Sequence, residues 1–169
     1  LFRETLGVAS RGGQVLLTEL LSVERIRIPL RARTKDELLA ELVDVCADSD
    51  HIHDRQDVLR AVREREAVLS TGIGHGVAIP HGKSAAVTEL RMAAGRSAEP
   101  MDFDALDGEP VNLFFLLIGP ESAAGPHIKA LSRISRLVRQ DDVRRRLIAA
   151  RTAEDFLQAL QEAESWTAT

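Results

Sequence analysis

The chain has 169 residues, of which 44% are hydrophobic and 28% charged, and a formal net charge of −4. That length suits one domain with a core of its own, and the acidic balance argues against broad nucleic-acid binding, which relies on Lys and Arg neutralising phosphates. The longest apolar run, Leu113-Phe114-Phe115-Leu116-Leu117-Ile118, falls far short of the ~20 residues of a membrane span, so direct membrane insertion is not expected. No secretory leader is legible at the start, and the single cysteine, Cys46, sits in a helical apolar pattern as a small core residue. The chain is expected to work in the cytoplasm.

Residues 1–14 show no period and contain Gly12-Gly13, which reads as a tail or linker ahead of a domain spanning 15–169. Leu16 to Leu21 suits one short helical turn, and Arg25-Ile26-Arg27-Ile28-Pro29-Leu30 alternates like a half-buried strand. Thr34 with Glu37 forms a capping box for a helix carrying Leu38, Leu39, Leu42, Val43 and Cys46. Asp54 and Asp57 open a second helix bearing Val58, Leu59, Val62 and finally Val68 or Leu69. Between these helices lies His51-Ile52-His53, a spacing that can bind metal on a strand, but here it falls in a polar connection and no metal role is assigned.

The next stretch is unusual. Ser70-Thr71-Gly72-Ile73-Gly74-His75-Gly76-Val77-Ala78-Ile79-Pro80-His81-Gly82-Lys83 places three glycines on alternate positions, then a short apolar run, then a histidine between proline and glycine. Val77-Ala78-Ile79 suits a short buried strand that Pro80, lacking an N–H, should stop. Gly82 should then let the chain turn away. The result is an imidazole presented at a strand end with little bulk beside it, and His81 is the candidate reactive group. The glycines have neither dinucleotide-fold nor P-loop spacing, so no nucleotide cofactor is expected.

Glu89 to Gly95 is a weaker strand, and Met101 to Gly108 is acidic and turn-like. Val111 to Ile118 is apolar on both faces and therefore central. Gly125-Pro126-His127 leads into a helix with Ile128, Leu131, Ile134, Leu137 and Val138 on one face. A further helix carries Val143, Leu147 and Ile148, and a last one spans roughly 153–164, with Trp166 beyond it. Strands alternate with amphipathic helices, the pattern of a single α/β domain whose mixed sheet is covered on both faces.

Two other side chains are candidates to join His81. His127 follows the central strand in the short loop before a helix, where unpaired N–H groups favour an anion; helix capping is the plain alternative. Arg65, in Arg63-Glu64-Arg65-Glu66, offers a fork of donors suited to phosphate oxygens, or else pairs with Glu64 or Glu66 at the surface. A metal or hydrolytic centre built on His75, His81 and His127 lacks a carboxylate at ligand spacing.

Residues 70–83 closely resemble the active-site segment of enzyme IIA proteins of the fructose/mannitol class of the bacterial phosphoenolpyruvate-dependent phosphotransferase system, the nitrogen-regulatory branch included. The resemblance runs from about Val15 to Glu162 and takes in the stretch from Leu117-Ile118-Gly119-Pro120 to His127. It implies a phosphohistidine relay. His81 would accept a phosphoryl group on Nε2 from the histidine-containing phosphocarrier protein, with His127 as the second histidine, Arg65 as the arginine ahead of the glycines, and no metal. The acceptor would be an enzyme IIB in sugar uptake or, alternatively, the phosphorylation state would govern binding to regulatory target proteins. His75 occupies a position often filled by Asn in relatives and would add a third imidazole near the site. The Gly-Pro before His127 is a second departure.

Overall fold

In the computed structural model, which describes residues 15–47 and 52–167, the strands are β1 (Ile26–Leu30), β2 (Gly72–Gly74), β3 (Val77–Ala78), β4 (His81–Lys83), β5 (Arg91–Met101) and β6 (Val111–Gly119). The helices are α1 (Leu17–Leu20), α2 (Lys35–Ala47), α3 (Arg55–Val68), α4 (Ala124–Val138), α5 (Asp141–Ala149) and α6 (Ala153–Thr167). The expected tail at 1–14 and His51 lie outside the described residues; His53 is exposed.

The apolar run is the middle strand. The order is β1-β5-β6-β3-β2, with β4 also paired to β6. β6 runs antiparallel to β5 and parallel to both β3 and β4, so the sheet is mixed. Because side chains alternate across a strand, β6 feeds both faces. Leu113, Phe115 and Leu117 join a core with α1, α4, α5 and α6, whereas Phe114, Leu116 and Ile118 join another with α2 and α3. The expected single α/β domain, a mixed sheet covered by helices on both faces, is the fold observed.

Four local expectations are corrected. β5 runs on to Met101, well past the expected end near Gly95. Its later half has Glu99 and Pro100 facing outward, which hides the strand from a hydrophobicity pattern, yet it returns to register with β6 at Met101↔Val111. Pro80 interrupts the strand without ending it. Its carbonyl accepts from the Leu117 N–H at 3.0 Å, and pairing resumes in β4 with His81 opposite Leu117. Gly82 therefore lies in a strand, not a turn. A Cβ there would stand 3.0 Å from the Val62 nitrogen and 3.2 Å from the Ala61 carbonyl carbon, so the missing side chain lets the α3 backbone lie directly on β4. Finally, His127 lies within the first turn of α4, not in a loop before it. Gly125-Pro126 is accommodated because first-turn N–H groups have no intrahelical acceptor.

That last shift rotates the helix face. His127, Ala130, Ile134, Leu137 and Val138 point inward, while Ile128 is 65% exposed. At the end of α3 the apolar pattern likewise overruns the buried face, leaving Val68 81% and Leu69 58% exposed.

One buried ion pair binds the α4 layer together. Arg133 of α4 donates through Nε to Glu164 of α6 at 2.6 Å, and the same carboxylate accepts from the Leu17 and Thr18 N–H groups at 2.8 and 2.9 Å. Removing one partner of a buried pair strands the other charge, at about 3–5 kcal/mol, whereas exposed pairs are worth about 0–1 kcal/mol. Glu164→Ala should therefore lower the urea midpoint far more than Glu162→Ala, which breaks only exposed or half-exposed contacts with Arg146 and Gln158; equal midpoints would contradict the assignment.

Candidate active site

His81, the first residue of β4, is half-buried. Its Nδ1 lies 2.9 Å from the backbone carbonyl of Ile79. A carbonyl can only accept, so the proton sits on Nδ1 and Nε2 keeps its lone pair. Burial holds the imidazole below its ordinary pKa, with the hydrogen bond to Ile79 opposing that shift and Arg65 reinforcing it. At neutral pH the ring is thus an uncharged nucleophile with one named nitrogen available.

Two helices from opposite layers flank it. From α4, the His127 ring stands edge-on to His81, centroids 5.6 Å apart and planes at 64°. His127 is 2% exposed, and neither ring nitrogen has a hydrogen-bond partner among the described residues. Burial, and then the nearness of His81 and Lys83, lowers its pKa to about 4. An orphaned buried polar group costs about 1–3 kcal/mol, which a ligand able to accept a hydrogen bond from this ring would relieve. From α3, Arg65 donates through Nη1 to the Leu69 carbonyl at 2.8 Å. The alternative, a surface pairing with Glu64 or Glu66, is not what forms: Glu64 pairs with Arg60 and Glu66 with Lys35.

The three predicted residues line one cleft of about 550 Å³, together with Lys83, Val68 and Ile128. A hollow of about 640 Å³ at the ends of β1 and β5, lined by Pro29–Arg33 and Ala98–Met101, holds neither imidazole nor nucleophile. His75 is not among the cleft residues; it sits exposed in the β2–β3 turn at φ 57°, its N–H held by Asp107 at 3.1 Å.

Sequence reasoning gave Lys83 and Glu66 no role. Lys83 stood inside the glycine motif and, two residues after His81, shares its face of β4. Glu66 read as a surface charge but is 5% exposed. The cleft combines a neutral nucleophilic imidazole, a buried neutral imidazole able to donate, and two cationic side chains, which suits a dianionic phosphoryl group.

Comparison with known proteins agrees with that chemistry. The family model described as phosphoenolpyruvate-dependent sugar phosphotransferase system, EIIA 2, matches residues 19–163. The chain is 38% identical over 144 residues to the nitrogen regulatory protein of Bradyrhizobium diazoefficiens, covering 85% of this chain and 94% of that one. It is 35% identical over 146 residues to the fructose-specific EIIABC component of the Bacillus subtilis phosphotransferase system, covering 86% of this chain but only 23% of that longer protein. The crystal structure of the nitrogen regulatory protein IIA-Ntr from Neisseria meningitidis is similar at TM-score 0.79 and 36% identity, covering 86% of this chain and 99% of that one.

The depressed pKa of His127 makes stability depend on pH. Unfolded, the ring titrates near ~6.5; folded, it does so at about 4. Between those values the unfolded chain binds more protons, so the contribution is complete above the unfolded pKa and is lost as pH falls toward the folded one. The loss is on the order of 3 kcal/mol. Urea midpoints at neutral and mildly acidic pH should show this drop, and His127→Gln should show a smaller one; the same drop in both proteins would remove His127 as its source.

Proposed function

The chain belongs to the EIIA 2 family of the phosphoenolpyruvate-dependent sugar phosphotransferase system, and from that premise we propose that it carries a phosphoryl group on Nε2 of His81. The donor is the phosphohistidine of the histidine-containing phosphocarrier protein, and the acceptor an enzyme IIB. The observation that carries this reading is the Ile79 carbonyl on Nδ1, which leaves one ring nitrogen as the nucleophile.

Nε2 attacks phosphorus as the bond to the donor imidazole breaks, and the electron pair of that bond returns to the donor nitrogen. His81 keeps its Nδ1 proton, so the positive charge developing on the ring is met by the Ile79 carbonyl. Such transfers pass through a loose transition state in which positioning and charge stabilisation do most of the catalysis. Arg65 and Lys83 neutralise the phosphoryl oxygens, and His127 donates a hydrogen bond to one of them. Onward transfer runs the same step in reverse toward the next acceptor. No metal or organic cofactor has a part in this scheme.

A protein partner suits the surroundings. Val68 and Ile128 line the cleft while facing solvent, and exposed Leu69 follows Val68; contiguous apolar exposure of this kind marks contact surfaces. Among the described residues no helix is long and apolar enough to cross a membrane, and the proposed setting is the cytoplasm. A second reading draws on the nitrogen regulatory relatives: the phosphorylation state of His81 governs binding to a regulatory target.

Incubation with phosphoenolpyruvate, enzyme I and the phosphocarrier, followed by mass mapping, should place one phosphoryl group on His81. His81→Ala should fold and take up none, and labelling retained in that variant would reject the acceptor. His127→Ala should still become labelled but pass the group on about 10²-fold more slowly, since what it loses is stabilisation of the transition state. Normal onward transfer would remove His127 from the mechanism.

A further inference from the structure

Glu66 lies in the last turn of α3, where a carboxylate opposes the helix dipole, and it is buried. It is nevertheless fully engaged. Oε1 accepts from the Thr71 N–H at 3.0 Å and from the Lys35 ammonium at 2.9 Å; Oε2 accepts from the Thr71 hydroxyl and, at 3.2 Å, from the same N–H. Lys35 is held in turn over the Phe103 ring, 4.8 Å from its centroid, and its ammonium lies 3.5 Å from Asp104.

What hangs from these contacts is the active site. Glu66 closes the segment from the end of α3 to Thr71. Within that segment the Leu69 carbonyl receives Nη1 of Arg65. On the far side of Thr71, its carbonyl accepts from the Ile79 N–H at 3.0 Å, and the Ile79 carbonyl receives Nδ1 of His81. One carboxylate thus begins two short hydrogen-bonded paths, one to the cationic group and one to the nucleophile.

We propose that Glu66 is a positioning residue that sets Arg65 and His81 relative to each other through Leu69, Thr71 and Ile79, with Lys35 as its anchor. The kinetic consequence rests on the carrier reading above; the structural consequence does not. Glu66→Gln keeps the shape of the side chain but removes the charge that holds the Lys35 ammonium, and with an NH₂ in place of Oε2 the Thr71 hydroxyl must turn from donating to accepting and the second contact to the Thr71 N–H is lost.

The test uses the full chain with ¹⁵N-labelled histidine. In the wild type His81 should show a single tautomer protonated on Nδ1, and in Glu66→Gln a mixture. Phosphoryl acceptance by the variant should slow about 10- to 100-fold in kcat, with KM for the phosphocarrier little changed. Leu160→Ala, a core truncation in α6 away from the cleft, serves as a control for lost stability and should retain both the wild-type tautomer and kcat. Lys35→Met should shift the tautomer in the same direction, less far, and it decides the matter if Glu66→Gln does not fold. A wild-type tautomer and kcat in Glu66→Gln overturn the proposal, as does an equal kcat loss in Leu160→Ala. If wild-type protein takes no label at His81, the carrier reading fails while the tautomer comparison still decides whether Glu66 positions the ring.

Discussion

The site depends on a hydrogen bond between two residues that are almost neighbours in sequence. Ile79 lies between β3 and β4, and its carbonyl turns to the imidazole two residues on. Its N–H is bonded across to the Thr71 carbonyl, but the Thr71 N–H is taken by Glu66, so the segment opposite leaves the Ile79 carbonyl free for the ring. A backbone acceptor left out of sheet pairing thus fixes the tautomer of His81 and leaves Nε2 with its lone pair. The nearby glycines serve two ends: Gly82 lets the α3 backbone lie on β4, and Gly74 and Gly76 supply the positive φ of the β2–β3 turn.

The groups around His81 come from both sides of the sheet. Arg65 arrives on α3, from the layer packed on Phe114 and Leu116, and His127 on α4, from the layer packed on Phe115 and Leu117. The two neighbours differ in kind. A guanidinium is cationic at any ordinary pH and sits where solvent still reaches it. A buried imidazole stays neutral and offers a hydrogen bond without adding another full charge. With Lys83 as a second cationic side chain, the cleft pairs two basic groups with two neutral rings, a balance that suits the transient dianion of the proposed relay.

Much of this was legible in the residues. The glycine–proline–histidine stretch pointed to the imidazole proposed here as the reactive group, the apolar run named the middle strand, and the helical periods gave a sheet covered on both faces. What escaped had physical reasons. A strand with polar outward residues, as in the second half of β5, carries no hydrophobic signature. A histidine can take a core-facing position in a helix, as His127 does, and the apolar neighbour it displaces, Ile128, then faces solvent. A carboxylate such as Glu66 looks like surface until the partners that satisfy it are known, and those partners, Lys35 and Thr71, lie on other elements. Lys83 was in plain view but needed the strand pairing of β4 to give it a face.

The Glu164 carboxylate also has an architectural consequence. By receiving the backbone of Leu17 and Thr18, it joins the first described helix to the last, so the two ends of the folded unit leave from one place. A version of this unit rejoined from its last described helix to its first by a short bridge, and opened at a surface loop elsewhere, would keep the same outline.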